Sequence, residues 1–225
     1  MMKFFSTLFF ILFLIFFSSC KKNNFDAKPK TFLALGDSYT IGEGVPDSLA
    51  WPYQLVSQIN KHEVYFDKPK IIAKTGWTTD ELLFAIDSIN LKGTYDYVSL
   101  LIGVNNQYRE LSLEDFKFEF KKLIEKAIIF SGNMTKNIFV LSIPDWSVMP
   151  YLTDRDRNKI SKQIDEFNLS KEIICNQNGI NFIDVTKISR NAKSNPSLVA
   201  LDSLHPSEKM YKMWVNEIID QLNLD

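Results

Sequence analysis

Thr31-Phe32-Leu33-Ala34-Leu35-Gly36-Asp37-Ser38 is a short apolar run that stops on Gly-Asp and presents a serine at its end. Such a run reads as a buried strand closed by a tight turn, with the Ser38 hydroxyl lifted off the carboxyl end of a sheet. The glycine-broken Ile41-Gly42-Glu43-Gly44 behind it makes Tyr39 to Ala50 a loop. Gly, Asp and Ser are all common in turns, so the rest of the chain decides between a nucleophile and plain turn chemistry.

Downstream, strand and helix signals alternate. A helix opens at Trp51-Pro52, proline being well placed in a first turn, and runs to about Asn60. Ile71 to Ala73 is a second strand, and Thr78 to Ile89 a helix with Thr78-Thr79-Asp80-Glu81 as cap candidates. Tyr95 to Ile102 is a third strand, almost wholly apolar, as expected where helices cover both faces. Leu113 to Phe130 is amphipathic, with Phe116, Phe120, Leu123, Ala127 and Phe130 close to one stripe. Asn137 to Ile143 is the fourth strand, Arg155 to Asn178 a long helix, Ile180 to Val185 the fifth strand and Glu208 to Leu222 the closing helix.

Strands separated by long helices pair in parallel through right-handed crossovers, so the expected fold is α/β: a three-layer α/β/α sandwich around a five-stranded parallel sheet. Ligands of such sheets bind outside the carboxyl ends of the strands. Ser38 follows the first strand there, Lys74-Thr75-Gly76-Trp77 the second, and Gly103-Val104-Asn105-Asn106 the third. Asp202-Ser203-Leu204-His205-Pro206 lies in the long polar loop after the fifth. Four distant segments thus converge on one edge.

These segments resemble the four marker blocks of the SGNH/GDSL hydrolase superfamily, in order, across essentially the whole domain. The resemblance implies a flavodoxin-like SGNH fold and a serine esterase or acylhydrolase without cofactor. Gly36-Asp37-Ser38 is similar to the first block, with Tyr39 where the family's name has Leu. Gly76 is similar to the second-block glycine. Gly103-Val104-Asn105-Asn106 is similar to the third, usually Gly-x-Asn-Asp, with Asn106 in place of the Asp. Asp202-Ser203-Leu204-His205 is similar to the final Asp-x-x-His. The implied roles are Ser38, Asp202 and His205 in catalysis, and Ser38, Gly76 and Asn105 in the oxyanion hole.

The chemistry makes the same demands. A serine hydroxyl is a poor nucleophile until a base takes its proton, and histidine does so near neutral pH. The chain has 2 histidines. His62 stands in the polar connection Asn60-Lys61-His62-Glu63, while an Asp three residues before His205 can fold back on its imidazole and hold the tautomer. Glycine at position 76 lets backbone approach substrate closely, or simply makes a turn. Two separated histidines and a thiol supply no usual zinc site, and no metal is expected. Cys175 sits within a predicted helix and reads as packing. Neither a Gly-x-Ser-x-Gly elbow nor a phosphate-binding glycine loop is present. The rival from another class is a non-catalytic, lipid-anchored glycan- or lipid-binding protein on the same fold.

Residues 1–19 stand apart. Lys3, the apolar stretch Phe4 to Phe17 and Ser18-Ser19-Cys20 match an export signal, and Ser-Ser-Cys resembles the lipobox of bacterial lipoproteins. Cys20 is then the lipidation site, residues 20–30 a polar tether and 31–225 the hydrolase domain, placed at a membrane of the bacterial cell envelope. An uncleaved signal anchor, or cleavage leaving Cys20 free, is the alternative. With Cys20 acylated, Cys175 has no disulfide partner, so the domain is held by its core.

The 225 residues are 45% hydrophobic and 24% charged, a globular composition sufficient for one domain. Net charge is -1, without a basic block, which argues against nucleic acid as a partner. The expected partner is a small ester substrate and the expected state a monomer. The superfamily resemblance implies lysophospholipids, short-chain esters or acetylated carbohydrates. Tyr39, Trp77, Tyr108, Trp146 and Tyr151 follow strand ends and form either an aromatic rim for substrate or lids on the core.

Overall fold

The computed structural model describes residues 28–61 and 65–223; the signal segment, Cys20, most of the tether and His62 lie outside the described residues. In chain order the elements are β1 (Phe32–Gly36), α1 (Ser38–Ile41), α2 (Trp51–Ile59), β2 (Lys70–Ala73), α3 (Thr79–Ile89) and β3 (Tyr97–Leu101). They continue with α4 (Val104–Tyr108), α5 (Leu113–Phe130), β4 (Ile138–Leu141), α6 (Arg157–Gln177), β5 (Asn181–Ile183), α7 (Thr186–Arg190) and α8 (Glu208–Leu222).

All five strands are parallel, in the order β2-β1-β3-β4-β5. Only the β1-to-β2 crossover runs against the direction of the others, so right-handed connections put α2 on one face and α3, α5 and α6 on the other. The packing agrees, with α2 against α8 and α5 against both α3 and α6. Covered on both sides, Phe32 to Leu35 are buried without alternation. One face holds the aromatic trio Phe32, Trp51 and Phe139, ring centres 5.9 to 6.1 Å apart. A second group joins Phe116 of α5 to Phe167 of α6 at 4.6 Å.

The register sets Gly36 opposite both Ala73 and Leu101, which levels the carboxyl ends of β1, β2 and β3. The chain leaves β1 for a neighbour on one side and returns to β3 on the other. That reversal is the topological switch point, where the crevice of a doubly wound sheet opens.

The expected loop from Tyr39 to Ala50 instead begins with the single turn of α1. Asp37 makes that turn: its carboxylate accepts the Tyr39 amide at 3.0 Å, and Gly42 ends the turn in the left-handed region at φ 82°. A turn of four residues carries no periodicity to read. Asp156 caps α6 through the amides of Asn158 and Lys159, so that helix starts at Arg157 and not at Arg155.

Candidate active site

Gly36 brings Ser38 close to the sheet. A Cβ there would lie 2.1 Å from Thr40 Oγ1 and 2.3 Å from the Leu101 carbonyl, so only glycine lets α1 fold onto the ends of β1 and β3. Ser38 is then the first residue of α1 and 5% exposed. Asp37 beneath it is fully buried, and its Oδ2 has no hydrogen-bond partner. Burial pushes the Asp37 carboxyl up to about 7, against the pull of the Tyr39 amide and Lys171.

Asp202 and His205 form the pair expected of them. Asp202 Oδ2 lies 2.6 Å from His205 Nδ1, while Oδ1 accepts the amides of Leu204 and His205, both at 2.9 Å. Burial alone would raise the Asp202 carboxyl, but these amides and the imidazole hold it below the usual aspartate value. With Nδ1–H donated to Asp202, Nε2 carries the lone pair and is free to take a proton. The loop is also closed on itself, the Ala200 amide donating to the His205 carbonyl at 2.8 Å.

His205 stands beside the serine segment. Its ring meets the edge of Tyr39 at 5.6 Å, and Tyr39 in turn rests on Trp214 of α8 at 6.4 Å. From the other side, a Cβ on Gly44 would come within 2.9 Å of Asp202 Oδ2. The Ser38 turn and the chain that follows it therefore pack on the Asp202–His205 loop.

The second and third segments meet above β2 and β3. Gly76 has φ 85° in the turn closed by the Trp77 amide on the Lys74 carbonyl, a conformation that favours glycine. Asn105, on α4, donates one Nδ2 hydrogen to the Trp77 carbonyl at 2.9 Å, which fixes its amide and leaves the other hydrogen available. Arg109, just past the end of α4, donates to the Gly76 carbonyl at 2.6 Å and pairs with Glu81 at 3.3 Å. Asn106 is buried on the opposite side. Its Oδ1 accepts the Thr79 amide at 3.1 Å, and its Nδ2 donates to Thr79 Oγ1 at 2.7 Å. The Thr79 hydroxyl passes its own hydrogen on to Glu119 of α5. Asn106 thus ties α4 to the start of α3, and its amide donor fits a threonine whose only hydrogen is committed to a carboxylate.

Lys171, fully buried on α6, supports the floor. Its ammonium donates to the carbonyls of Ile102 at 3.1 Å and Leu141 at 2.8 Å, the ends of β3 and β4. Burial brings it down to about 7, with Cys175 and Asp37 pulling the other way. Asn168, three residues earlier on the same face, holds the Ile143 backbone at both its N–H (2.7 Å) and C=O (3.0 Å). Cys175 is a buried free thiol, as its helix position implied, and burial pushes it up to about 12, against the pull of Lys171.

The five aromatics divide. Tyr39 and Trp146 are buried packing residues, at 2% and 1% exposure. Trp77 is half-buried against the core, and Tyr108 and Tyr151 are exposed. Lys171 and Arg109 were not singled out from the sequence, although both left a trace there. Lys171 stands in register with Ile164, Phe167 and Ile174 on the apolar stripe of α6, where a lysine is out of place. Arg109 is four residues from Asn105, one helical turn away.

The GDSL-like lipase/acylhydrolase family pattern matches residues 34–213. Among curated proteins none matches in sequence. Solved structures share the fold at low identity. TesA superposes with a TM-score of 0.67 at 16% identity, over 86% of this chain and 99% of that one. Axe2, an acetylxylan esterase from Geobacillus stearothermophilus, gives 0.65 at 15% identity, over 87% and 95%. The psychrotrophic esterase EstA from Pseudoalteromonas sp. gives 0.63 at 19% identity, over 86% and 97%. With the switch-point crevice and the four converging segments already in place, the chain belongs to the GDSL-like lipase/acylhydrolase family and is an ester-hydrolysing serine hydrolase.

Proposed function

We propose that Ser38, His205 and Asp202 carry out the hydrolysis through an acyl-enzyme. Ser38 Oγ attacks the ester carbonyl carbon while His205 Nε2 takes the hydroxyl proton, and Asp202 stabilises the imidazolium through Nδ1–H. The carbonyl oxygen becomes an oxyanion facing the amides of Ser38 and Gly76 and the second Nδ2 hydrogen of Asn105. Collapse breaks the acyl–oxygen bond, and the departing alcohol takes the proton from His205. A water then repeats the sequence on the acyl-enzyme and frees the acid and Ser38. Loss of one oxyanion donor costs about 2.7 to 4 kcal/mol of barrier.

The observation that carries this reading is the 2.6 Å Asp202–His205 contact, with that imidazole set against Tyr39, the neighbour of Ser38. A non-catalytic binding protein has no use for an imidazole fixed in one tautomer beside a serine at a helix start. The substrate class is an acetylated carbohydrate, a lysophospholipid or a short-chain ester. A p-nitrophenyl ester series, from acetate to long acyl chains, tests both points on the full chain in detergent. Turnover lost in Ser38→Ala supports the serine mechanism, and the chain-length optimum separates deacetylation from lipid hydrolysis. A folded parent inert on every ester supports the binding protein instead.

Ser18-Ser19-Cys20 behind the apolar stretch supports lipidation at Cys20 and a place at the cell envelope. Cys20→Ser is expected to release the protein from the membrane fraction with its activity retained. Retention of that variant in the membrane would point to the uncleaved anchor.

A further inference from the structure

One group of exposed side chains around the crevice has no part in this chemistry. Arg155 lays its guanidinium over the Tyr108 ring, 4.4 Å from the ring centre, and lies 5.8 Å from the Trp146 ring. Its Nη1 donates to the Tyr108 carbonyl at 2.9 Å, so the cation is held in a fixed plane. The rings beneath are themselves packed, Tyr108 on Trp146 at 5.3 Å, and Trp146 Nε1 donates to Gln107 at 2.7 Å. Tyr151 completes the group. Its phenol is pushed up by the Tyr108 hydroxyl beside it, with Arg155 pulling the other way.

This wall spans the two halves of the site. Tyr108 is three residues from Asn105 on α4, hence on a neighbouring face of one short helix. The Tyr151 amide donates at 2.9 Å to the carbonyl of Ser203, inside the Asp202–His205 turn. The segment from Ser147 to Leu152 is tied to the start of α6 by Arg157, which donates to the carbonyls of Ser147, Met149 and Leu152.

Among the described residues no ion pair forms at Arg155. Its two acidic neighbours are engaged elsewhere: Asp154 accepts the Thr153 hydroxyl, and Asp156 caps α6. A fixed, stacked guanidinium keeps N–H donors free in a planar fork, the geometry that recognises carboxylate or phosphate. The Tyr108 hydroxyl, on the ring that the guanidinium covers, is a further donor.

We infer that Tyr108, Tyr151 and Arg155 form a subsite for an anionic group on the substrate's alcohol portion, a carboxylate or a phosphate. The inference rests on the esterase reading and adds to it the charge of the leaving group. It fits a uronate-bearing acetylated carbohydrate or the headgroup of a lysophospholipid, and it disfavours a purely neutral ester.

The test compares two acetyl esters that differ in one charge, phenyl acetate and 4-acetoxybenzoate, on the full chain in detergent. The wild type is expected to favour 4-acetoxybenzoate in kcat/KM, relative to the intrinsic reactivity of the two esters with hydroxide, by about tenfold, the size of one charge-assisted contact. Added NaCl should erode that preference, and Arg155→Met should abolish it. The salt arm needs no variant and so does not depend on the folding of Arg155→Met. Equal corrected rates in the wild type, or a preference that survives in folded Arg155→Met, overturn the subsite. If neither ester turns over, the esterase reading fails by itself. Calorimetric binding of 4-hydroxybenzoate then decides the subsite: about tenfold weaker binding in Arg155→Met supports it, and equal binding overturns it. A short-chain lysophosphatidate and an acetylated galacturonide then show whether phosphate or carboxylate is the natural group.

Discussion

Asn106→Asp restores the residue usual in the family's third block, and the structure predicts that it destabilises this chain. The Asn106 amide donates to Thr79 Oγ1, whose one hydroxyl hydrogen goes to Glu119. An aspartate keeps the acceptor for the Thr79 amide but removes the donor. The threonine then faces two carboxylates with one hydrogen, at a site where Asn106 is 1% exposed. Leaving such a buried group unsatisfied costs about 1 to 3 kcal/mol. For a domain of this size each kcal/mol is worth about 2 to 4 °C in Tm, readable by circular dichroism. Glu119→Gln supplies the missing donor from the other side, freeing the threonine hydrogen for the introduced carboxylate. The double variant should therefore be more stable than the sum of the single changes, with a coupling of about 0.5 to 3 kcal/mol. An Asn106→Asp variant as stable as the parent, or strictly additive single changes, would refute the reasoning.

Other changes separate support from chemistry. Lys171→Met leaves the Ile102 and Leu141 carbonyls without their buried donor and should lower unfolding stability by about 1 to 3 kcal/mol in urea titration. Gly44→Ala forces φ 85° on an L-residue and drives a methyl towards Asp202; a cost of about 1 to 2 kcal/mol is expected, with kcat falling more than KM rises. Asp202→Asn should cut kcat by about 10⁴-fold through the wrong imidazole tautomer. Because Asp202 is held below its ordinary 3.8, its stabilising contribution is complete above that value and is lost as the pH falls through the lowered one. The Tm difference between parent and Asp202→Asn should therefore shrink as the pH is taken below about 4.

Long periodic elements were legible in the sequence. The apolar stripe Phe116, Phe120, Leu123, Ala127 and Phe130 placed α5 at the boundaries observed, where Ser112 caps it, and Ser207 does the same for α8. The single turns α1, α4 and α7 were not, since four or five residues cannot show a 3.6-residue period and tertiary contacts decide them. Residue type and position after the strands singled out Ser38, Gly76, Asn105, Asp202 and His205 as candidates, because such a reading depends on local chemistry. Side-chain reach was harder to read. Tyr39 and Trp146 follow strands as Tyr108 and Tyr151 do, yet one pair packs inward and the other faces solvent. Arg155 sat at an expected helix start and gave no sign that it would fold over Tyr108.

The central claim is that Ser38 is the nucleophile activated by His205. A fluorophosphonate, which phosphonylates activated serines, tests it on the full chain by intact mass and peptide mapping. One adduct on Ser38 is predicted, absent in Ser38→Ala and formed far more slowly in His205→Ala. An adduct that persists in Ser38→Ala, or none on the folded parent, would contradict it.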